Sequence, residues 1–227
     1  MSSIAECVPI RPKEARTDKQ VAAGKKLGQR ALLNSLFGQS AARAYHLLME
    51  VDTLFLDTET TGLGGNAEAI EIGVTDAAGT ILMDVRIRPT CPIDDGVAAV
   101  HGITLEQFTG APNWPAVADE LRELLTGRPV VIFNAGYDTR ILQQTARAHG
   151  DAAEWIAELD ITCAMKLAAG CYGATNRHGT ISLANSMIAA KVEWAGKAHS
   201  AAGDAATTAN VVRAMADLFP PLLAQEC

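Results

Sequence analysis

No stretch of the chain approaches the roughly 18 consecutive apolar residues that a membrane-spanning helix requires, so neither a span nor a membrane partner is expected. The stretch from Met1 to Arg16 carries Glu6, Pro9, Arg11, Pro12, Lys13 and Glu14. It lacks the apolar core of about 7 to 15 residues that marks a secretory signal. Cysteine is sparse: the five residues Cys7, Cys91, Cys163, Cys171 and Cys227 are odd in number, far apart and contain no Cys-x-x-Cys pair. That spacing excludes a disulfide framework and a zinc knuckle, and a reducing cytoplasm is the expected compartment. No fixed-period repeat and no low-complexity tract is visible.

What is present is ordinary globular material. Hydrophobic residues make up 48% and charged residues 20% of the 227 positions, which rules out wholesale disorder and fibrous repeats. At roughly 150 residues per domain, the length predicts one core with an extension.

Charge is divided unevenly. The whole chain carries a net -7, yet residues 1–50 hold 8 Lys+Arg against 4 Asp+Glu, leaving 11 against 22 for the rest. The body is therefore acidic, with a net of -11, behind an extension of +4. An acidic body is a poor non-specific partner for polyanions. Any nucleic-acid contact is expected to be local, assisted by metal, or helped by the basic extension.

The extension, residues 1–50, reads as a flexible lead to about residue 17 followed by helical segments at Lys19 to Phe37 and Ser40 to Glu50, with Gly38 as the separator. Three readings stand for it: packing on the body, holding a partner, or touching nucleic acid. Ser35-Leu36-Phe37 resembles the end of a bacterial sliding-clamp-binding peptide, although such a tripeptide arises by chance in any helix.

From Thr53 the rhythm changes. Thr53 to Glu59, Ala69 to Thr75 and Thr80 to Arg88 are β-branched or alternating segments parted by turn signals such as Asp76-Ala77-Ala78-Gly79, which predicts three successive antiparallel strands. A helix after Pro115, a short buried strand over Pro129 to Phe133 and a helix over Asp138 to Gly150 form a following βα unit. Three more helical stretches are expected near Thr162 to Ala169, Thr180 to Ala190 and Ser200 to Leu218. The fold class is α/β, over residues 51–227.

Three elements put carboxylates where apolar residues belong. In the first strand, Thr53, Phe55, Asp57 and Glu59 share one face, since strand side chains alternate with period two. In the helix after Phe133, the stripe Ile141, Leu142, Thr145 runs back to Asp138. In the last long helix, Val211, Val212 and Met215 define a face that extends through Thr207 and Thr208 to Asp204, with His199 on the preceding loop. Each has a bland alternative: Asp57 and Glu59 past the strand edge in water, Asp138 in a first turn favoured by the helix dipole with Asn134 as a turn or cap, and His199 as a solvated loop residue. Together they point to a shared hard cation, because burying several unpaired charges costs several kcal/mol each. Oxygen-only ligands favour magnesium or manganese over zinc. Two such ions about 3.5 to 4 Å apart would clamp both oxygens of a phosphoryl displacement.

At these positions the chain resembles the DEDDh group of 3'-to-5' exonucleases, typified by the proofreading epsilon subunit of bacterial DNA polymerase III and by exonuclease X. The resemblance rests on Asp57-Thr58-Glu59-Thr60-Thr61-Gly62-Leu63, Asn134-Ala135-Gly136-Tyr137-Asp138 and His199-Ser200-Ala201-Ala202-Gly203-Asp204, with Val100-His101-Gly102-Ile103-Thr104 similar to a further segment. It covers about residues 52–218. Tyr137 departs from the phenylalanine usual before the aspartate.

The resemblance implies an RNase H-like fold, a central mixed sheet of three antiparallel strands followed by βα elements and flanked by helices. It implies that Asp57, Glu59, Asp138 and Asp204 hold two metal ions while His199 is general base, a task suited to an imidazole at neutral pH. Nucleoside 5'-monophosphates would leave a single-stranded or frayed 3' end of DNA. Thr60, Thr61, Gly62 and Leu63 would run beside the terminal nucleotide, Gly62 allowing close approach and Leu63 packing on the base, with His101 and Asn134 lining the cleft. Leu63 is equally a turn residue over the core, and His101 equally a turn stabiliser. A polymerase or sliding clamp is the protein partner such a family would bring. Three rivals stand: an exoribonuclease with the same carboxylates, a non-catalytic module that binds nucleic-acid ends or a polymerase, and an unrelated α/β enzyme.

Overall fold

The computed structural model describes residues 18–224, with side chains described from Lys26 onward. The flexible lead expected over residues 1–17 lies outside the described residues, as do Cys7 and Cys227. The chain opens with helices α1 (Asp18–Leu33) and α2 (Leu36–Met49). The break falls at Asn34 and Ser35, not at Gly38. Ser35 takes the N-cap of α2, its hydroxyl accepting from the Gly38 amide, while Leu36 is left 76% exposed. Gly38 lies inside α2, where an added Cβ would overlap the Leu32 and Leu33 carbonyl oxygens. Its smallness lets the end of α1 turn closely over α2.

The strands β1 (Leu54–Thr60), β2 (Ala69–Asp76) and β3 (Ile81–Arg86) form the expected antiparallel meander. Helix α3 (Asp95–His101) and α4 (Trp114–Leu125) precede β4 (Val130–Ile132), which lies parallel to β1. Helix α5 (Ala135–Ala148) leads to β5 (Ile161–Cys163), parallel to β4, and then come α6 (Ala164–Tyr172), α7 (Leu183–Ala190), α8 (Ala201–Ala216) and α9 (Phe219–Leu223). The sheet order is β3-β2-β1-β4-β5, so β1 is central. The helix expected from Thr162 instead begins at Ala164, because Ile161-Thr162-Cys163 pairs with Val130-Val131-Ile132. No local periodicity announces a three-residue strand that owes its existence to a neighbour.

Both faces of the sheet are covered. The even residues of β1, Leu54 and Leu56, pack with Ile72, Val74 and Ile132 against Trp114, Leu121 and Ile141 of α4 and α5. The odd residue Phe55 packs with Val131 against Leu47 of α2, Ala168 of α6 and Ala205, Ala209 and Val212 of α8. Helix α2 thus shares a core with the body.

The approach of α8 to the sheet is set by small residues. At Gly73 of β2 an added Cβ would overlap the backbone nitrogen of Ala202. Backbone cannot yield as a flexible side chain can. Gly73→Ala is expected to destabilise the protein by about 1–3 kcal/mol, read as a lower urea midpoint at constant slope. An unchanged midpoint would contradict it.

Candidate active site

The odd-numbered face of β1 that buries Phe55 continues into Asp57 and then Glu59, at the end of the central strand. Helix α8 crosses this face and brings Asp204, in its first turn and 9% exposed, over the two strand carboxylates. One oxygen from each of Asp57, Glu59 and Asp204 lies within 4.8 Å of the others. Asp138 enters from the first turn of α5 and is 3% exposed. Its Oδ1 accepts the Thr58 hydroxyl at 2.8 Å and the Thr58 amide at 3.2 Å. The sheet and two helix starts therefore converge four carboxylates on one end of β1.

Their electrostatics follow from that crowding. Burial first, then the charges of Asp138, Asp204, Glu59 and Glu71, hold the Asp57 carboxyl well above the usual carboxylate range. Burial, then Asp204, Glu71 and Asp138, push Glu59 up to about 8, against a weaker opposing pull from Lys197. Burial raises Asp138 to about 7 despite the Thr58 hydrogen bonds, and raises Asp204 to about 6 despite the His199 amide.

These shifts have a stability consequence in the absence of metal. Unfolded carboxyls titrate near 4, whereas the folded cluster keeps protons up to about 6 to 8. Between those limits the folded state binds more protons, so stability falls as pH rises. In chelator, Tm is expected to drop by about 5–10 °C from pH 5 to pH 8, and magnesium should shrink the drop. A Tm that is flat over that window in chelator would contradict it.

Glu71, which the sequence reading passed over, belongs to the same ground. It faces Glu59 across the β1–β2 pairing and is 5% exposed. Its Oε2 pairs with Arg86 Nε at 3.1 Å, and its Oε1 accepts the Ala201 amide at 2.9 Å. Glu71 thus pins the start of α8, next to the Gly73 contact, and sets where Asp204 falls. The signal was legible: a carboxylate inside the buried run Ile70-Glu71-Ile72-Gly73-Val74 is the same anomaly that singles out Asp57.

His199 stands exposed on the loop before α8. Its backbone adopts the left-handed region, φ 57°. Its amide donates to Asp204 Oδ1 at 3.2 Å, and its ring lies 5.9 Å from that of Trp194. The residue is therefore moored to the cluster by its backbone while its imidazole faces solvent.

Beside the carboxylates opens a cavity of about 640 Å³ lined by Glu59, Thr60, Leu63, Val97, Val100 and Tyr137, among others. A hollow of about 760 Å³ between Trp114 of α4 and His149 after α5 is larger. It contains none of the clustered carboxylates, so the smaller cavity is the one adjoining the chemistry.

Residues 54–212 match the RNase T family, described as exonuclease. The chain belongs to this exonuclease family. It is 37% identical over 174 residues to an uncharacterized exonuclease, CP81, of Escherichia phage 186, covering 74% of this chain and 90% of that protein. It is 35% identical over 95 residues to the DNA polymerase III epsilon subunit of Escherichia coli K12, 37% of this chain and 39% of that protein. Among solved structures, exonuclease X in complex with 5' overhanging duplex DNA matches at 25% identity and TM-score 0.53, over 72% of this chain and 90% of that one. The nuclease domain of 3'hExo, a DEDDh family member bound to rAMP, matches in fold at 15% identity and TM-score 0.58, over 74% and 94%. The fold is the RNase H-like α/β fold of DEDDh exonucleases, as the sequence resemblance implied.

In this exonuclease the residues expected beside a nucleotide separate into four groups. Thr60 and Leu63 line the cavity, Leu63 at 71% exposure. Thr61 and Gly62 shape the loop from behind. The Thr61 hydroxyl accepts the Glu68 amide at 2.9 Å, and Gly62 packs against the Asp94 carboxylate, whose Oδ2 would lie 2.5 Å from an added Cβ and would have to swing aside for one. His101 borders the cavity, but Nδ1 accepts the Ile103 amide at 2.9 Å and Nε2 lies 3.2 Å from the Thr60 carbonyl. That pattern puts the ring proton on Nε2 and spends both nitrogens on backbone. Asn134 sits exposed at the N-cap of α5 without a side-chain cap bond, and outside the cavity lining.

Proposed function

We propose that the protein is a metal-dependent 3'-to-5' exonuclease that hydrolyses DNA from its 3' end and releases nucleoside 5'-monophosphates. The observation that carries this reading is the convergence of Asp57, Glu59 and Asp204 within 4.8 Å beside a cavity open to solvent. The donor set fits hard divalent ions: only carboxylate oxygens, all with raised proton affinity, opposed by weak cationic influences from Lys197 on Glu59 and His199 on Asp204. Asp57, Glu59, Asp138 and Asp204 would hold two magnesium or manganese ions, which supply Lewis acidity and charge neutralisation when bound.

The chain's own residues do the rest. The terminal nucleoside enters the cavity, its base against Leu63, Val97 and Val100, with Thr60 alongside. The His199 imidazole takes the proton of the attacking water. The bond from phosphorus to the 3'-oxygen breaks, leaving a shortened strand with a free 3'-hydroxyl and a 5'-monophosphate. The relationship to exonuclease X, solved on 5' overhanging duplex DNA, and to a polymerase III epsilon subunit favours DNA as the substrate. A polymerase partner is the arrangement that the epsilon relative suggests.

The test incubates purified protein with 5'-labelled single-stranded DNA and matched RNA in magnesium, manganese or EDTA. A ladder shortening from the 3' end of DNA, lost in EDTA, is expected. Faster loss of RNA would move the reading to an exoribonuclease, and no loss of either strand with any metal would overturn it.

A further inference from the structure

We propose that Tyr137, Arg140 and Gln144 form a clamp that holds the Thr60–Gly64 loop in its nucleotide-receiving shape before substrate arrives, an inference that rests on the exonuclease reading. These residues are spaced three and four apart and share one face of α5. The Tyr137 hydroxyl lies 2.7 Å from Thr60 Oγ1 and 2.9 Å from the Gly62 carbonyl, and Thr60 Oγ1 lies 3.0 Å from the same carbonyl. Each hydroxyl has one proton. In either direction, the chain of two bonds ends on Gly62.

The next two residues extend the grip. Arg140 stacks over the Tyr137 ring, its Cζ 5.2 Å from the centroid. Its Nη1 donates to the Gly64 carbonyl at 3.1 Å and to Gln144 Oε1 at 2.8 Å. Gln144 Nε2 in turn donates to the carbonyls of Gly64 at 3.1 Å and Ala67 at 2.7 Å. On the far side, the Asp94 amide donates to the Thr61 carbonyl at 2.8 Å.

The result is a loop whose Gly62 and Gly64 carbonyls are turned into α5. Its one large side chain, Leu63, is turned outward at 71% exposure onto the cavity. An exposed leucine on a Gly-rich segment would otherwise sample many positions. Fixing it in advance removes an ordering cost from binding. Tyr137 acts here through its hydroxyl as a positioning residue, an advantage that the phenylalanine usual at this position does not supply.

Tyr137→Phe keeps the ring and the Arg140 stack, and leaves Thr60 to hold Gly62 alone. In the full-length protein, KM for single-stranded DNA ends is expected to rise about 5- to 10-fold while kcat falls less than about twofold. Amides of residues 61–66 should exchange with deuterium about 5- to 10-fold faster without substrate. Tyr137→Ala, which removes the stack as well, should exceed both effects. Unchanged exchange, or faster exchange with unchanged KM, overturns the clamp, as does a loss confined to kcat. Wild-type protein that degrades no DNA with either metal defeats the exonuclease reading instead, and the exchange comparison still reads the clamp.

Discussion

Asp57→Ala is expected to lower DNA turnover by about 10⁴-fold or more, while leaving metal-free protein folded and as stable as wild type or slightly more so. Asp57 sits at the meeting point of the cluster, within reach of the charges of Asp138, Asp204, Glu59 and Glu71. It also belongs to the group of three whose oxygens converge within 4.8 Å. Removing it takes away one of the four carboxylates proposed to hold the ions, at the point where the group is closest. It also removes a like charge from a poorly solvated place, which relieves repulsion when no ion is bound. The two readouts are a 3'-end degradation assay in magnesium and a denaturation curve in chelator. Residual turnover within tenfold of wild type would take Asp57 out of the mechanism. A large loss of metal-free stability would show instead that the side chain supports the fold.

His199→Ala is expected to cut the rate about 10²- to 10⁴-fold, the usual span for a lost general base, with little change in metal-free stability. The side chain makes no hydrogen bond that the fold depends on. What ties the residue to Asp204 is its backbone amide, which alanine retains. The left-handed backbone at φ 57° is costly for any residue with a Cβ, so histidine and alanine carry the same strain. His199→Gly relieves it, and should match the alanine variant in activity while folding at least as well. Strain of this kind persists where surrounding structure over-determines it, here the Asp204 bond below and Trp194 alongside. An unchanged rate in either variant would exclude the imidazole as base.

Much of this site was legible from residues alone, and for one reason. Asp57, Asp138 and Asp204 each end a stripe whose other members must be buried, so the sequence itself records where a carboxylate is forced inward. The meander was legible for a similar reason, as its strands alternate and are punctuated by turns. What escaped was structure that depends on a partner. Ile161-Thr162-Cys163 is a strand only because β4 lies beside it. Helix α3, in Asp95-Gly96-Val97-Ala98-Ala99-Val100-His101, is too short and too rich in small residues for a periodic signal. Asn134 belongs to the motif, yet it is not among the residues that line the cavity. His101 has its ring proton fixed by two backbone partners that lie 41 and 2 residues away, a geometry that no local pattern encodes.

The order of the strands governs how the activity comes into being during synthesis. β1 lies at the centre of the sheet, with β2 on one side and β4 on the other, and the helix that completes the cluster, α8, comes after every strand in the chain. Contacts between segments so distant in sequence form late, since closing long loops carries entropy that only the finished contacts offset. A half-made chain therefore holds Asp57 and Glu59 without Asp204 or His199. Helix α2, made early, waits on the same late helix, because much of the surface it covers belongs to α8. The carboxylate cluster is whole only once the last long helix has docked on the sheet.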